Sequence, residues 1–289
     1  MKKLGVIANC SKRRAADVLK TLSNIAAQLD LELYADQPTA DLLTQCKCSP
    51  LSQWIDLVDG VVALGGDGTM LRANREIGVN AKPILGINIG NLGFLTSVSE
   101  RYIEKALTAL AKDEYDISVR SIVEAVVTRD QQEIGHYHAL NEVVAGRGPS
   151  SRVVILEVTI DGAEVTEYVC DGLIISTPTG STGYSLSASG PILSPETAAL
   201  VITPISPHTL TSRPLVIDDK STIVVTVGAS KQNLLLSIDG QEDRDLRDGD
   251  RITITRSARH AEFIHLPGHN HYAVLHEKLH WGGSHKTSK

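Results

Sequence analysis

The sequence predicts an α/β N-terminal domain with a doubly wound, mostly parallel sheet. An all-β, sandwich-like C-terminal domain follows, and a C-terminal segment returns to the first domain. Strand-like apolar runs alternate with helical periodicity up to residue 98, which is the pattern of βαβ units. Short strand-like segments separated by Gly and Asp turns come next, as in β-sandwiches. With 289 residues, 42% of them hydrophobic, the chain is long enough to form two cores.

The first domain is predicted over residues 1–98. Its longest helix is indicated by apolar residues spaced three and four apart at Val18, Leu22, Ile25 and Leu29. Its strands are indicated by short apolar runs next to glycine or polar residues. The predicted elements, up to the helix that leads out of the domain, are strand 4–9, helix 15–29, strand 31–35, helix 41–46, strand 59–64, helix 69–77, strand 83–88 and helix 99–110.

The second domain is predicted over residues 99–265. Asp161-Gly162 between two of its apolar segments is a strong hairpin signal. The return segment is predicted over residues 266–289 and includes a helix at 272–281. The predicted strands of the second domain are 118–129, 134–144, 152–160, 164–168, 173–176, 215–217, 222–227, 233–238 and 251–256.

Composition narrows the class of protein. The formal charge of −6 provides no overall basic field for nucleic acid, and no apolar run approaches the roughly 18 residues of a membrane span. The four cysteines do not resemble a disulfide framework, so we expect a cytoplasmic chain with reduced thiols. Cys46 and Cys48 are interpreted as incidental, and the histidines at 269–280 as solvated surface groups. No metal-ligand set is predicted.

The first domain is organised around the segment Gly65-Gly66-Asp67-Gly68-Thr69, which follows an apolar run. Glycines at the end of a buried strand let a phosphate approach the backbone, and Thr69 can cap the helix that follows. Asp67 would stand at the carboxyl end of the strand, where open α/β sheets bind their ligands. This arrangement suggests a base or a metal-orienting group for phosphoryl transfer. The alternative is an ordinary β-turn after a core strand.

A second unusual segment runs from Thr177 to Pro191. Nearly half of its residues carry aliphatic hydroxyl groups, and three are glycine. Such a segment offers hydroxyls and backbone N–H groups that can surround a phosphate or a sugar, and Tyr184 within it can stack on a base or ribose. The alternatives are a flexible Ser/Gly linker and a partly buried core tyrosine. Apolar residues on both sides argue against the linker.

Weaker signals lie elsewhere in the second domain. Asn141-Glu142 combines an amide and a carboxylate, which together can bind the two hydroxyls of a ribose, although a turn is the simpler interpretation. The segment 206–214 is polar and contains two prolines, which indicates a loop. Asp239-Gly240 is also compatible with a plain hairpin turn.

Two common nucleotide-binding motifs are absent from the sequence. No G-x-x-x-x-G-K-[ST] segment is present, so the chain is not a P-loop enzyme. No G-x-G-x-x-G follows the first strand, so ordinary Rossmann binding of a dinucleotide is not supported.

Taken together, these segments resemble the NAD kinases in their bacterial form, in order along nearly the whole chain. The Gly65–Thr69 segment alone is shared with lipid kinases and resembles a phosphofructokinase motif. The sequence TPTGST with its flanks, together with GIN and LGFLT, is highly specific. The matching pieces are Gly65–Thr69, Gly86–Asn88, Gly93–Thr96, Asn141-Glu142, Asp171–Pro191, Ser206–Pro214, Asp239–Gln241 and Val274–Gly282.

The resemblance implies transfer of the γ-phosphoryl group of ATP to the 2′-hydroxyl of the adenosine ribose of NAD, which forms NADP. Asp67 would accept the hydroxyl proton, and Mg²⁺ would accompany ATP. The family is usually a homodimer or homotetramer, without nucleic-acid or membrane partners. The residues implied to bind the nucleotides are Gly66, Gly68, Arg72, Asn141, Glu142, Arg152, Asp171, Thr182, Gly183, Tyr184, Ser185, Leu186, Ser187 and Gln241.

Two other functions are compatible with parts of the sequence. A lipid or sphingoid-base kinase would share the Gly65–Thr69 segment, but the hydroxyl-rich segment and the lack of a basic amphipathic helix argue against it. A non-catalytic sensor of NAD or NADP would have little need for a carboxylate at Asp67.

Overall fold

The computed structural model describes residues 1–90, 93–148, 153–229 and 234–281. The chain divides into two compact units: residues 1–119 together with those from 262 onward, and residues 120–261. The predicted fold class is confirmed, because the first unit is α/β, the second is antiparallel β, and the C-terminal residues rejoin the first unit. In the described ranges, no helix is both long and apolar enough to span a membrane.

The first unit alternates strands and helices. The strands are β1 (Lys3–Ala8), β2 (Glu32–Ala35), β3 (Lys47–Cys48), β4 (Gly60–Gly65), β5 (Ile84–Asn88) and β6 (Val98–Ser99). The helices are α1 (Ala15–Gln28), α2 (Gln37–Ala40), α3 (Leu51–Trp54), α4 (Asp67–Ile77) and α5 (Ile103–Ala111). The predicted helix at 41–46 is wrong, because the helical turn lies at Gln37–Ala40, where Asp36 caps it by accepting from the N–H of Thr39.

The sheet of the first unit has the order β5-β4-β1-β2-β3, with parallel pairing throughout. The chain winds from β1 towards β3 on one side and returns at β4 on the other. The topological switch point is therefore between β1 and β4. In open α/β sheets the carboxyl edge at this point is where ligands bind.

Helices α1 and α5 cover one core of the first unit. Leu19 and Leu22 of α1 and Leu107 and Leu110 of α5 are fully buried in the same cluster as the strand residues. Helix α5 packs against α1, and the first unit includes it together with the residues up to 119, beyond the predicted boundary at residue 98.

The second unit is built from antiparallel strands. They are β7 (Asp116–Arg129), β8 (Gln132–Ala139), β9 (Glu142–Arg147), β10 (Val154–Ile160), β11 (Ala163–Cys170), β12 (Gly172–Ser176), β13 (Ala199–Ile205), β14 (Leu215–Asp218), β15 (Ile223–Val227), β16 (Leu234–Ile238), β17 (Glu242–Leu246) and β18 (Arg251–His265). Residues up to 119 of β7 and from 262 of β18 belong to the first unit. A short helix, α6 (Tyr184–Ser187), follows β12, and α7 (His271–Lys278) lies in the first unit.

Two layers of strands form the second unit. One layer has the order β14-β13-β12-β9-β16-β17, and the other contains β11-β10-β15-β18, with β7 pairing to both β18 and β8. Buried residues of both layers, such as Ile175 and Leu236 from one and Leu156 and Ile223 from the other, share one hydrophobic cluster. This is the predicted sandwich.

Two strand predictions in the second unit need correction. The predicted strand 134–144 is two strands, β8 and β9, with a break at Leu140-Asn141. Strands β13 and β17 were not predicted. The hairpin predicted at Asp161-Gly162 is confirmed, since these residues join β10 to β11 with φ angles of 51° and 82°.

Candidate active site

A carboxylate stands at the carboxyl edge of the sheet in the first unit. Strand β4 ends at Gly65, Gly66 caps helix α4, and Asp67 is the first helical residue. The Asp67 carboxylate accepts hydrogen bonds from the backbone N–H groups of Phe94 (2.9 Å, Oδ2) and Leu95 (3.0 Å, Oδ1). One donor on each oxygen fixes its orientation and leaves other lone pairs in place. The group can therefore receive a proton from a ligand without losing its position.

Gly93 makes room for this carboxylate. A Cβ atom at residue 93 would lie 1.9 Å from Oδ1 of Asp67. The N–H of Gly93 donates to Oγ1 of Thr96 (3.0 Å), which also accepts from Nδ2 of the buried Asn88 (3.1 Å). The turn that holds Asp67 is thus fixed from behind by a side-chain network at the end of β5.

Lys12, just beyond β1, ties together the loops at the switch point. Its ammonium donates to the carbonyl oxygens of Ile89 (2.6 Å) and Gly65 (3.1 Å). It also flanks Gly66, since a Cβ at that glycine would lie 3.7 Å from Nζ. An ammonium has three donors, so Lys12 can bind an anion at the turn as well as these two carbonyls.

Arg72 lies one turn further along α4, with its side chain about one-third exposed. Its Nη2 donates to the carbonyl oxygen of Ala8 (2.8 Å), and its Nε is 3.7 Å from Oε1 of Glu76. The guanidinium is therefore tied to the end of β1, at the same edge of the sheet as Asp67. Gly68, in contrast, faces open space, because a Cβ there would meet nothing within 4 Å.

A cavity of about 890 Å³ lies in the first unit near this edge. It is bounded by Gly90, the residue after the carbonyl that Lys12 binds, and by the cationic side chains of Arg101, Lys105 and Lys278. The volume is within the range of small-molecule sites.

In the second unit, Asp239 organises the break between β8 and β9. Its carboxylate accepts from the backbone N–H groups of Leu140 (2.9 Å), Asn141 (2.7 Å) and Glu142 (3.0 Å). Asp239 itself adopts a φ of 52° in the turn after β16. Three backbone donors on one carboxylate fix the conformation of Asn141-Glu142 and leave their side chains available for other contacts.

Those two side chains carry buried acceptors without a protein partner. Oδ1 of Asn141 and Oε2 of Glu142 make no hydrogen bond to any described residue. Burial, with the nearby negative charge of Asp239 as the second cause, raises the pKa of Glu142 to about 8. A Cβ at Gly183 would be 3.3 Å from Oε2 of Glu142, so this part of the hydroxyl-rich segment adjoins both acceptors. Two adjacent unpaired acceptors suit a ligand with two hydroxyl donors.

The start of the hydroxyl-rich segment is a rigid turn. Oγ1 of Thr177 donates to the carbonyl oxygen of Leu140 (2.6 Å) and accepts from the N–H of Gly180 (3.1 Å). The N–H of Thr177 donates to the carbonyl oxygen of Asn141 (2.9 Å). A Cβ at Gly180 would lie 2.2 Å from that same oxygen. These contacts exclude a flexible linker here.

Two hydroxyls predicted to line a site form hydrogen bonds with other groups of the same unit. Oγ1 of Thr182 donates to a carbonyl oxygen three residues earlier (3.2 Å), and the buried Ser185 hydroxyl shares a hydrogen bond with that of Thr203 (2.9 Å). Leu186 is half-buried and Ser187 is exposed on α6. The hydroxyls of Thr182 and Ser185 therefore help to fix the backbone around Gly183 and Tyr184.

Tyr184 and Asp171 border a second cavity, of about 430 Å³, in this unit. The Tyr184 side chain is 47% exposed, which rules out the core tyrosine considered above. Oδ2 of Asp171 is 3.2 Å from Nη2 of Arg147 on β9, which also lines the cavity. An aromatic face, a carboxylate and a guanidinium thus surround one space.

Two predicted site residues remain. Gln241 follows the Asp239-Gly240 turn, where its N–H donates to the carbonyl oxygen of Ile238 (2.9 Å). The hairpin interpretation of this turn is correct, but its aspartate also has the organising role described above. Arg152 lies outside the described residues.

Comparison with known proteins identifies the family. The model of the ATP-NAD kinase N-terminal domain matches residues 4–115, and that of the ATP-NAD kinase C-terminal domain matches residues 140–266. An NAD kinase of Moorella thermoacetica is 39% identical over 98% of this chain and 91% of its own length. One of Syntrophotalea carbinolica is 38% identical over 98% of this chain and 99% of its own length.

The chain belongs to the NAD kinase family. It is accordingly an enzyme that phosphorylates NAD to NADP, and the family predicted from the sequence motifs is confirmed.

Solved structures of NAD kinases have the same fold. A yeast NADH kinase complexed with NADH superposes with a TM-score of 0.91 at 25% identity, over all of this chain and 90% of that one. An NAD kinase from Archaeoglobus fulgidus in complex with ATP superposes with a TM-score of 0.74 at 26% identity, over 96% of this chain and 98% of that one.

Sequence reasoning missed three residues of this NAD kinase. Lys12 stands four residues after the first strand, and only the strand order shows that this position is at the switch point. Gly93 lies within the LGFLT motif, but its role depends on Asp67, 26 residues earlier in the sequence. Asp239 was interpreted as part of a turn, and its contacts with residues 140–142 have no local sequence signal.

Proposed function

We propose that this chain transfers the γ-phosphoryl group of ATP to the 2′-hydroxyl of the adenosine ribose of NAD, with Asp67 as the general base and Mg²⁺ bound with ATP. The observation that carries the proposal is the Asp67 carboxylate, fixed by two backbone N–H groups at the switch point of the sheet. In the reaction, the 2′-oxygen forms a bond to the γ-phosphorus while the bond to the β-phosphate oxygen breaks. The hydroxyl proton passes to Asp67, and ADP leaves.

The first unit is proposed to bind the donor. Lys12, Arg72 and the backbone of Gly66 and Gly68 would meet phosphate oxygens, because cations and open backbone favour anions. The cavity next to Gly90, with its lysines, is the proposed space for the rest of ATP.

Mg²⁺ suits this turn because Asp67 is an oxygen donor with unused lone pairs. Mg²⁺ prefers one or two carboxylates with phosphates and water. When bound, it neutralises charge on the phosphates.

The second unit is proposed to bind NAD. Asn141 and Glu142 would accept from the two hydroxyls of a ribose, which supplies the donors that their buried oxygens lack. Tyr184 would stack on a nucleoside, and Asp171 would hold a polar group of the dinucleotide in the adjoining cavity. The remaining predicted contacts are kept as part of this proposal: Arg152, Thr182, Gly183, Ser185, Leu186, Ser187 and Gln241. A cytoplasmic homodimer or homotetramer also remains a prediction.

The test is NADP formation from NAD, ATP and Mg²⁺ by the wild type, by Asp67→Asn and by Asp56→Asn, which changes an exposed aspartate of the same unit. Loss of a general base lowers the rate by about 10² to 10⁴-fold. We expect a loss of at least this size in Asp67→Asn alone, because asparagine also presents an N–H to one of the two backbone donors.

Calorimetry with NAD distinguishes lost chemistry from lost structure. Asp67→Asn should still bind NAD, since the other proposed NAD contacts, at Asn141, Glu142 and Tyr184, are unchanged. Near-normal turnover in Asp67→Asn would refute the general-base assignment. NAD binding without turnover in the wild type would support the sensor alternative.

A further inference from the structure

A cluster of metal-ligating side chains lies on the β7–β8 pair of the second unit, among residues that the kinase reaction does not use. Glu124 on β7 is directly opposite His138 on β8, and His136 is two residues before His138. Residues two apart in a strand point to the same face, and opposed residues have close Cβ atoms. The pairing of the strands therefore places all three side chains together.

The distances match the geometry of a bound metal ion. One ligand atom from each side chain lies within 4.8 Å of the other two, and Nε2 of His136 is 3.4 Å from Oε2 of Glu124. A tetrahedral zinc with bonds of roughly 2.0–2.1 Å has ligand atoms about 3.3 Å apart. One pair is already at that spacing, and binding would draw the third ligand atom in from no more than 4.8 Å.

A polar group orients the imidazole of His138 from behind, and a carboxylate lies near that of His136. Nδ1 of His138 is 3.3 Å from the hydroxyl of Ser257 on β18, and Nδ1 of His136 is 4.0 Å from Oε1 of Glu133. Histidines that bind a metal through one nitrogen usually have such a partner on the other. With Nδ1 of His138 engaged, Nε2 of that ring is the nitrogen available for an ion, and Nε2 of His136 already faces Glu124.

We propose that Glu124, His136 and His138 form a site for Zn²⁺, with water as the fourth ligand. Two neutral imidazoles and one carboxylate are ligands that zinc accepts, and three protein ligands with an open fourth position are common.

The site is independent of phosphoryl transfer and would act on stability. Its ligands lie on β7 and β8, and Ser257 behind His138 lies on β18, so a bound ion would hold the edge hairpin in register. An ion that binds only the folded chain stabilises it by RT ln(1 + c/Kd), where c is the concentration of the free ion, so the melting temperature rises with that concentration.

The experiment measures zinc binding by equilibrium dialysis of the full chain after treatment with a chelator. The variants are His138→Ala, Glu124→Gln and His208→Ala, the last removing an exposed histidine of the same unit as a matched control. Other histidines and the cysteines can bind zinc as well. The quantity to compare is therefore the number of zinc equivalents bound by each variant and by the wild type. We expect His138→Ala to lose one equivalent that His208→Ala retains, and Glu124→Gln to weaken the same equivalent at least about tenfold.

Two further readouts separate this site from a general loss of structure. Added zinc should raise the melting temperature of the wild type and of His208→Ala, but not of His138→Ala. Ser257→Ala should keep the site with affinity lowered about tenfold, as expected for a partner that orients a ligand. Equal stoichiometry in the wild type, His138→Ala and His208→Ala, or no zinc bound by the wild type, would overturn the proposal.

Discussion

Glu142 is a buried carboxyl group that has no hydrogen-bond partner on Oε2 within the described residues, and this makes it sensitive to a ligand. Without one, burial and the charge of Asp239 raise its pKa from 4.5 to about 8, so the group is mostly protonated at pH 7. Hydroxyl donors stabilise the carboxylate form and lower the pKa again. Binding of a ribose diol therefore removes a proton from Glu142.

We predict that NAD binding at pH 7 releases about one proton per site. The affinity for NAD should then rise with pH up to about 8, the pKa of Glu142 in the empty site, and level off above it. Calorimetry in two buffers with different ionisation enthalpies measures the released proton directly.

The matched variants are Glu142→Gln, which cannot ionise, and Glu157→Gln, which changes an exposed glutamate of the same unit. Glu142→Gln should bind NAD with no buffer dependence, whereas Glu157→Gln should behave as the wild type. Proton uptake by the wild type, or release that persists in Glu142→Gln, would contradict the assignment of this residue to the ribose.

At the scale of elements, two turns depend on glycines that allow close approach. A Cβ at Gly93 would overlap Oδ1 of Asp67 at 1.9 Å, and one at Gly180 would overlap the carbonyl oxygen of Asn141 at 2.2 Å. Real Cβ atoms do not approach other atoms so closely, so each substitution displaces the neighbouring group.

We predict that Gly93→Ala and Gly180→Ala affect different kinetic parameters. Gly93→Ala should lower kcat by about 10² or more and leave NAD affinity unchanged, because a misplaced base costs rate. Gly180→Ala should raise KM for NAD, because it shifts Asn141. Each variant is the control for the other. Steady-state kinetics that show the same pattern for both would mean that the two turns do not have separate roles.

The loops at the switch point give a second prediction at this scale. Lys12 holds the carbonyl oxygens of Gly65 and Ile89 and faces the proposed phosphate position. Lys12→Met removes the charge and both hydrogen bonds and keeps a side chain of similar length. KM for ATP should therefore rise about tenfold, with little change in KM for NAD. Lys20→Met, at an exposed position of α1, is the control. A selective rise in KM for NAD would contradict the role of Lys12.

The elements also show where sequence reasoning reaches its limit. Apolar residues flank Asn141-Glu142 on both sides, so the sequence pattern predicts one strand across a real break. The break exists because three N–H groups bind Asp239, about one hundred residues later in the sequence. Similarly, the helix predicted from Thr69 begins at Asp67, because Gly66 takes the cap position. Long-range hydrogen bonds and cap geometry are not visible in local periodicity.

For the whole molecule, the order of element types was enough to predict the fold class. Alternation of strands and helices, followed by short strands, distinguishes an α/β unit from a sandwich. The position of the boundary was less accessible, because α5 joins the first unit through its contacts with α1, which local sequence does not report. The motif segments indicated the family and the reaction. They did not reveal that many hydroxyls of the Thr177–Pro191 segment are used for internal structure.

The proposal that the first unit binds ATP and the second binds NAD leads to a prediction for the entire chain. NAD alone should slow backbone amide exchange most strongly in peptides that cover residues 140–142 and 177–187. ATP with Mg²⁺ should do so in peptides that cover residues 65–69 and 93–96. The reason is that bound substrates stabilise the segments they contact against local opening.

Hydrogen exchange measured by mass spectrometry tests this division, with Glu142→Gln and Lys12→Met as matched variants. Protection by NAD at residues 140–142 should weaken in Glu142→Gln and persist in Lys12→Met. Protection by ATP at residues 65–69 should weaken in Lys12→Met and persist in Glu142→Gln. Wild-type protection by NAD that is confined to residues 65–69 would mean that the first unit binds the acceptor. In that case the unpaired oxygens of Asn141 and Glu142 would need another ligand.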